Sequence, residues 1–301
     1  MSVSAARETS NQGDAMVNTL SNDSILSGIG RNAGGDNRRA LPSARIFDFP
    51  GAPTVTVIIP AKNEALNLPH VLTKIPAWVG EVILVDGNST DDTIEVARAL
   101  RPDIKVIGQD RPGKGAALRA GFAAAAGDII VMLDADGSTD PAEIPGFVGA
   151  LLAGADFVKG SRFLQGGGTR DMEWYRRFGN WGFVKLVQLR FGGKFTDLCY
   201  GYNAFWRDVL NRLSLEQDDG FEIETSMNVQ ALRAKLVVKE LASTEHRRIH
   251  GTSNLRTIPD GWRVLSTIVR MSMQRMPAER SASSPRLVEL AREPARKIVG
   301  N

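Results

Sequence analysis

From residue 54 onward the chain alternates between short apolar, β-branched runs and longer stretches of mixed polarity. The runs are 55–59 (VTVII), 81–85 (EVILV), 104–107 (IKVI) and 128–133 (DIIVML). None shows the strict in-out alternation of a half-exposed strand, so each predicts a strand covered on both faces. Between them, 64–74, 90–101, 114–126 and 141–152 read as helices, with Pro141 placed where a first helical turn tolerates it. Strand alternating with helix predicts an α/β fold: a single Rossmann-like, doubly wound, mostly parallel sheet with helices on both faces. A fifth run, 156–160 (DFVKG), continues the series.

Beyond residue 160 the alternation breaks. A glycine-rich loop (QGGGTR) leads to an aromatic, basic helix over 173–191 and a strand at YNAFW. A helix over 220–234, a strand at KLVVKEL and an amphipathic helix from 259 to about 276 follow. Trp174, Tyr175, Phe178, Trp181 and Phe183 recur three or four residues apart, the spacing of a buried helix face, so most are expected to pack. On the last helix Trp262, Leu265, Val269 and Met273 form one apolar stripe, whose commoner fate is to dock on the domain. Residues 1–53 are rich in Ser, Asn, Gly and Ala and read as a flexible tail. The folded domain is expected over 54–258, and 259–301 as the amphipathic helix with a basic tail.

Composition adds limits. The chain has 301 residues, 43% hydrophobic and 24% charged, which is a globular balance. Its 37 Lys and Arg against 34 Asp and Glu leave a net charge of +3, too small for a coat on nucleic acid. That excess is unevenly placed: 54–261 hold 24 basic and 26 acidic residues, whereas 262–301 hold eight and three. A basic end beside an amphipathic helix predicts peripheral contact with anionic membrane. One cysteine, Cys199, rules out an intramolecular disulfide and a multi-cysteine zinc cluster. No apolar stretch has the length of a secretory signal or a membrane span, so the expected location is cytoplasmic, peripheral on the inner face of the membrane.

Candidate chemistry lies just after the strand runs, because ligands of such sheets bind beyond the carboxyl ends of the strands. Asp134 and Asp136 flank one alanine at the end of the fourth run, and Gly137 permits a turn that aims both at one site. Such a pair suits a hard divalent cation shared with a substrate phosphate, although Asp140 before Pro141 shows that the segment also carries ordinary capping residues. Asp86 ends the second run, where a carboxylate can accept hydrogen bonds from a ribose or a base. In RPGKG, two glycines flank Lys114 at a helix start, a place suited to anions. Residues 108–114 also satisfy G-x-x-x-x-G-K. Position 115 is glycine rather than the Ser or Thr that a phosphate loop needs for magnesium, and the segment follows the third strand rather than the first. His246 and His250 have helical metal-ligand spacing, but Gly251 and the loop-like context argue against a zinc pair.

TVIIPAKNE, VILVDGNSTDDT, RPGKGAALRAG, GDIIVMLDADGSTDP and KGSRF, in this order, resemble glycosyltransferase family 2. They are especially similar to its polyprenyl-phosphate sugar transferases, such as the dolichyl-phosphate mannose synthases, over about 55–255. The resemblance implies a GT-A fold, a nucleotide-diphosphate sugar donor of UDP-glucose or GDP-mannose type, Mg²⁺ or Mn²⁺ at the DxD motif, and inversion at the anomeric carbon. It matches Pro60, Ala61 and Glu64 to the first nucleotide-binding segment, Asp86 to the second, Asp134 to the donor side of DxD and Asp136 to the metal. TDLCYGYNAFWR resembles the acceptor-facing segment, bringing in Asp197, Gly201 and Tyr202. EHRRIHGTSNL resembles a phosphate-binding R-x-x-G-x-S-K stretch through Arg248, Gly251 and Ser253. Two departures stand out. Asn254 replaces the lysine, so a phosphate contact is missing or comes from Arg247, His246 or His250. DADGS replaces a DADLQ-like run, leaving Ser138 to complete metal coordination.

The acceptor divides the expectations. A lipid phosphate is already deprotonated and needs no general base. Arg162 in GSRF is then the expected phosphate ligand, because guanidinium grips phosphate with two hydrogen bonds. A hydroxyl acceptor on a sugar or small molecule instead requires a carboxylate to take its proton, and Asp197, Glu222 and Glu224 are the candidates. A non-catalytic nucleotide-sugar-binding protein is the third reading, motivated by the two departures.

Overall fold

The computed structural model describes residues 52–274 apart from 171 and 254. The expected N-terminal tail, the lysine-to-asparagine departure at Asn254 and the chain after 274 therefore lie outside the described residues. Four parallel strands, β1 (Val55–Ala61), β2 (Glu81–Asp86), β3 (Lys105–Gly108) and β4 (Ile129–Met132), form one half of the sheet in the order β3-β2-β1-β4. Val57, Ile58 and Ile59 are all fully buried, as are Ile129, Ile130 and Val131. Consecutive strand residues point to opposite faces, so the sheet is covered on both at β1, β2 and β4. The expectation fails at β3, an edge strand whose Lys105 and Gly108 are exposed and whose Val106 and Ile107 are only half-buried. Helices α1 (Leu68–Leu72), α2 (Thr93–Leu100) and α3 (Lys114–Ala124) connect these strands.

The first helix is shorter than its pattern predicts. Residues 64–67 form a turn instead, in which the Glu64 carbonyl accepts the N–H groups of Asn67 (2.9 Å) and Leu68 (3.0 Å). Pro69 then stands near the helix start, where its missing N–H costs nothing.

The second half departs from simple alternation. After α4 (Ile144–Leu152), β5 (Phe157–Ser161) does not lie beside β4. Strand β7 (Asn203–Trp206) inserts between them, antiparallel to both, and β8 (Val238–Ala242) pairs parallel to β5 on its far side. The sheet order is β3-β2-β1-β4-β7-β5-β8. Two short strands, β6 (Gly168–Thr169) and β9 (Thr244–Glu245), pair separately. A four-residue run such as NAFW, three of its residues apolar, carries no mark of direction, which is why the insertion is invisible in the pattern.

Helices α5 (Trp174–Phe191), α6 (Glu222–Arg233) and α7 (Thr257–Met273) share a second core of Val184, Val187, Val229, Val264, Ile268 and Met271. The boundary expected at 258 thus falls inside α7, whose inner face belongs to this core. Two packing expectations reverse here. On α5 the inner face is Asn180, Val184 and Val187, while Trp174, Tyr175, Phe178 and Trp181 are exposed. On α7 the inner face is Val264, Thr267, Ile268 and Met271, while Trp262, Val269 and Met273 point outward. Spacing identifies a face but not which way it turns. No helix among the described residues is long and apolar enough to cross a membrane.

Candidate active site

Beyond the carboxyl ends of β1, β2 and β4 lies a cavity of about 490 Å³. Pro60, Ala61 and Glu64 enter it from β1, Gly87 and Asn88 from β2, and Asp134, Ala135 and Asp136 from β4. Lys114 joins them from the start of α3, Phe221 from the segment before α6, and Arg248 and Ser253 from the segment after β9. The turn at Gly137, with φ of 77°, carries the chain away after Asp136.

Two ion clusters organise this space. In the first, Lys114 Nζ lies 2.6 Å from Asp134 Oδ1 and 2.7 Å from Glu224 Oε1, joining three elements far apart in sequence. Burial alone would pull the Lys114 ammonium down. The Asp134 and Glu224 carboxylates outweigh it and hold the group protonated, above the usual lysine range. Gly201 closes against this cluster: a Cβ there would stand 2.7 Å from Glu224 Oε1 and 2.8 Å from Lys114 Nζ. In the second, Arg248 donates to both oxygens of Glu64, at 2.8 and 3.0 Å, and its Nε lies 3.5 Å from Asp136 Oδ2. Burial raises the Glu64 carboxyl above its ordinary range, against the lowering influence of Arg248 and Asn67.

The glycines around Lys114 have a different role from the anion cradle expected of them. A Cβ at Gly113 would meet the Asp219 carbonyl at 2.0 Å, and one at Gly115 the Asp218 carbonyl at the same distance. Gly115 N–H donates to the Asp219 carbonyl at 2.8 Å, and Ala116 N–H to the same oxygen at 3.3 Å. The helix start is therefore docked on the 218–219 backbone, which removes both the phosphate-loop reading and the exposed-amide reading of RPGKG.

Arg162 and Asp197, candidates under the two different acceptor readings, are paired with one another in the structure. Arg162 is buried, and Nε and Nη2 donate to Asp197 at 2.7 and 2.9 Å while Nη1 donates to Glu245 at 3.0 Å. Its ring-facing side covers Tyr200 at 4.8 Å. All three nitrogens are engaged, because a buried cation must be neutralised and hydrogen-bonded, so in this arrangement Arg162 does not offer a fork to an acceptor phosphate. Asp197, fully buried, is likewise held by Arg162, which outweighs burial and keeps its carboxyl below the usual range. In this arrangement both of its oxygens are engaged by Arg162.

Asp86 is buried, and its carboxylate accepts the Ser89 N–H at 3.2 and 3.3 Å, closing the turn through Asn88. Asp136 Oδ1 accepts the Ser138 N–H at 2.9 Å. Ser253 Oγ accepts the Leu255 N–H at 3.2 Å. Glu222 opens α6 beside the cavity, with Oε1 accepting Gly220 N–H at 2.9 Å and Oε2 buried without a hydrogen-bond partner. The sequence reading passed over Gln109, Arg256, Asp260 and Arg263, which also line the cavity. The available signal was an acidic and a basic residue three apart, Asp260 and Arg263, at the entrance of a helix that directly follows a phosphate-binding-like stretch.

Comparison with known proteins agrees with this geometry. Residues 56–214 match the family described as Glycosyl transferase family 2. An uncharacterised glycosyltransferase of Mycobacterium tuberculosis is 46% identical over 220 residues, 70% of this chain and 98% of that protein. The polyprenol monophosphomannose synthase of Mycolicibacterium smegmatis is 31% identical over 66% of this chain and 80% of its own length. Among solved structures, the glucosyl-3-phosphoglycerate synthase of Mycobacterium tuberculosis, in complex with Mn²⁺, UDP and glucosyl-3-phosphoglycerate, superposes with a TM-score of 0.59 at 24% identity. That match covers 75% of this chain and 82% of the other and supports the shared GT-A fold. With the paired carboxylates at the end of β4 and more than half of the chain matched, the protein belongs to glycosyltransferase family 2 and is a glycosyltransferase.

Proposed function

We propose that the protein moves a sugar, with inversion at the anomeric carbon, from a nucleotide-diphosphate sugar of UDP-glucose or GDP-mannose type to a polyprenyl phosphate. The observation that carries this reading is the meeting of Asp134, Asp136, Lys114 and Arg248 in one cavity at the end of the sheet. Similarity to the polyprenol monophosphomannose synthase supports the acceptor class.

The donor set fits Mg²⁺ or Mn²⁺. Asp134 and Asp136 offer only oxygen, and among the described residues no three His, Cys, Asp or Glu side chains gather into a closed metal cage. A hard cation held by one or two carboxylates and completed by substrate phosphates needs no more than that. Asp136 would be the main ligand and Asp134 the second, and a cation held there would supply positive charge to offset that of the departing diphosphate.

The protein's own groups supply the rest. Arg248, pre-oriented by Glu64, presents positive charge where the diphosphate leaves, without reorganising during the reaction. Pro60, Ala61, Asp86 and Ser253 belong to the segments that hold the nucleotide. Lys114 fixes Asp134 and Glu224 relative to one another. The bond from the anomeric carbon to the diphosphate oxygen breaks with its electron pair on the leaving group, and the acceptor oxygen bonds to the opposite face. A lipid phosphate attacks as the anion, so no residue receives a proton. With Arg162 engaged by Asp197 and Glu245, the acceptor charge falls to Arg256 and Arg263 at the cavity wall.

A second reading has its own support. The neighbour bound to glucosyl-3-phosphoglycerate has a small-molecule product, and Glu222 keeps an unpartnered buried oxygen beside the cavity, suited to take a proton from a hydroxyl. The test offers labelled UDP-glucose and GDP-mannose, with Mg²⁺ or Mn²⁺, to membrane lipid extract and separately to 3-phosphoglycerate. Label in a lipid-phosphate product, lost in Asp136→Asn, bears out the proposal. Product from 3-phosphoglycerate alone, lost in Glu222→Gln, transfers it to the second reading. No turnover of either donor would leave a binding protein.

A further inference from the structure

The outward faces of α5 and α7 carry an apolar surface that the transfer reaction does not use. On α5, Trp174, Phe178 and Trp181 are 78%, 67% and 54% exposed, and Leu189 continues the same line of positions. The Phe178 and Trp181 rings stack at 5.7 Å, so they form a built surface rather than scattered side chains. On α7, Ile258, Trp262, Val269 and Met273 repeat at helical spacing, with Trp262 69% exposed. The two helices lie against each other, sharing the second core, and Arg190 on α5 donates to the Ser272 carbonyl on α7. Soluble monomers rarely leave so many large apolar side chains on two packed helices open to water.

Charge selects the occupant. On α5, Lys185 and Arg190 are exposed and Arg176 is half-buried, while Arg177 lies over the Phe163 ring and an exposed carboxylate, Glu173, stands at the helix entrance. On α7, Arg263 and Arg270 are paired with Asp260 and Asp218, so the free positive charge of this face comes from α5. Beyond residue 274 the sequence adds six more basic residues and three acidic ones. A second copy of the chain on this face would bring cations against cations. Tryptophan interleaved with Arg and Lys instead matches the boundary of a lipid bilayer, where the rings lie at headgroup level and the cations meet anionic phosphate.

We infer that α5 and α7 together dock the protein on a bilayer surface containing anionic phospholipid. The position of α7 gives the docking a purpose, because Asp260 and Arg263 line the cavity while Trp262 faces outward from the same turn. A docked molecule holds the cavity wall beside the headgroups. The inference extends the lipid-phosphate reading, but its test requires neither donor nor acceptor, so each can fail without the other.

The experiment is flotation of the full chain with vesicles of phosphatidylcholine alone and with about 30% phosphatidylglycerol, a fraction that gives a strongly anionic surface. Tryptophan emission is read in parallel. The expected result is binding to the anionic vesicles with a blue shift, weakened about tenfold or more in Trp174→Ser/Trp181→Ser and in Trp262→Ser/Met273→Ser. Lys185→Glu should weaken binding without touching the apolar stripe. Circular dichroism melts matching the wild type keep the variants interpretable. Equal recovery of wild type and both double variants with the vesicles overturns the surface, and so does a wild type that never floats. A dimer in light scattering that Trp262→Ser dissociates, with no vesicle binding, would assign the face to a second copy.

Discussion

Arg248 grips Glu64 with both terminal nitrogens across 184 residues of sequence. The fork ties the segment after β9 to the turn after β1 and leaves Nε directed at Asp136. Arg248→Lys keeps the charge but loses the planar fork, so the cation is no longer fixed over the carboxylate pair. Expected is a fall in kcat/KM of about 10²-fold, the scale for one preorganised donor. Steady-state kinetics on the nucleotide sugar check it, and a variant within about twofold of wild type would remove Arg248 from the site.

Gly201 and Gly115 should fail in different ways. A Cβ at Gly201 meets the far ends of Glu224 and Lys114, which can swing aside. Gly201→Ala should therefore keep most of its stability, within about 1 kcal/mol, while displaced charges lower kcat/KM by about tenfold or more. A Cβ at Gly115 meets the Asp218 backbone at 2.0 Å, which cannot swing. Gly115→Ala should cost about 3 kcal/mol or more in urea unfolding. Equal stabilities for the two variants would contradict the distinction.

The Arg162–Asp197 pair makes a pH prediction. Burial opposes ionisation of Asp197, Arg162 outweighs it, and the folded carboxyl lies below the ordinary value of 3.8. Stability from this group is therefore fully present above pH 3.8 and is lost as pH falls below it toward the folded value. Asp197→Asn leaves a buried guanidinium without its partner charge and should cost about 3–5 kcal/mol at neutral pH. Urea melts across pH 3 to 7 should show the acid-side loss in wild type and its reduction in the variant.

Cys199 offers a probe of the same neighbourhood. Cys199 is half-buried, and desolvation within the fold pushes its thiol up to about 12, with the Asp197 charge adding to the effect. At pH 8 the folded chain should resist iodoacetamide, and one thiol should react after unfolding in urea. Fast alkylation of the native protein, read by mass spectrometry, would show that this half-buried thiol is not held protonated.

The parallel half of the fold was legible because its runs are apolar on consecutive positions, the pattern of a doubly covered strand; the pattern misled only at β3, where Lys105 and Gly108 are exposed and Val106 and Ile107 half-buried. The DxD end of β4 was legible for the same reason: chemistry collects where such strands stop. What escaped the pattern is relational. Arg162 and Asp197 each suit an active site by residue type, and only the packing of β5 against the 196–200 segment shows that they neutralise one another. The glycines of RPGKG suit phosphate, and only the approach of Asp218 and Asp219 shows what occupies their open side. Trp262 and Val264 both belong to amphipathic periodicity, and only the neighbours of α7 decide which one faces in.

Insertion of β7 between β4 and β5 imposes an order on synthesis. Strands β1 to β4 can assemble once residue 132 has emerged, but β5 pairs only with β7 and β8, both made later. Until Asn203–Trp206 leaves the ribosome, β4 presents an edge of Ile129, Ile130, Val131 and Met132 with no partner. An unpaired apolar edge is an aggregation template, so a chain stalled or truncated between residues 135 and 200 is the species most dependent on a chaperone.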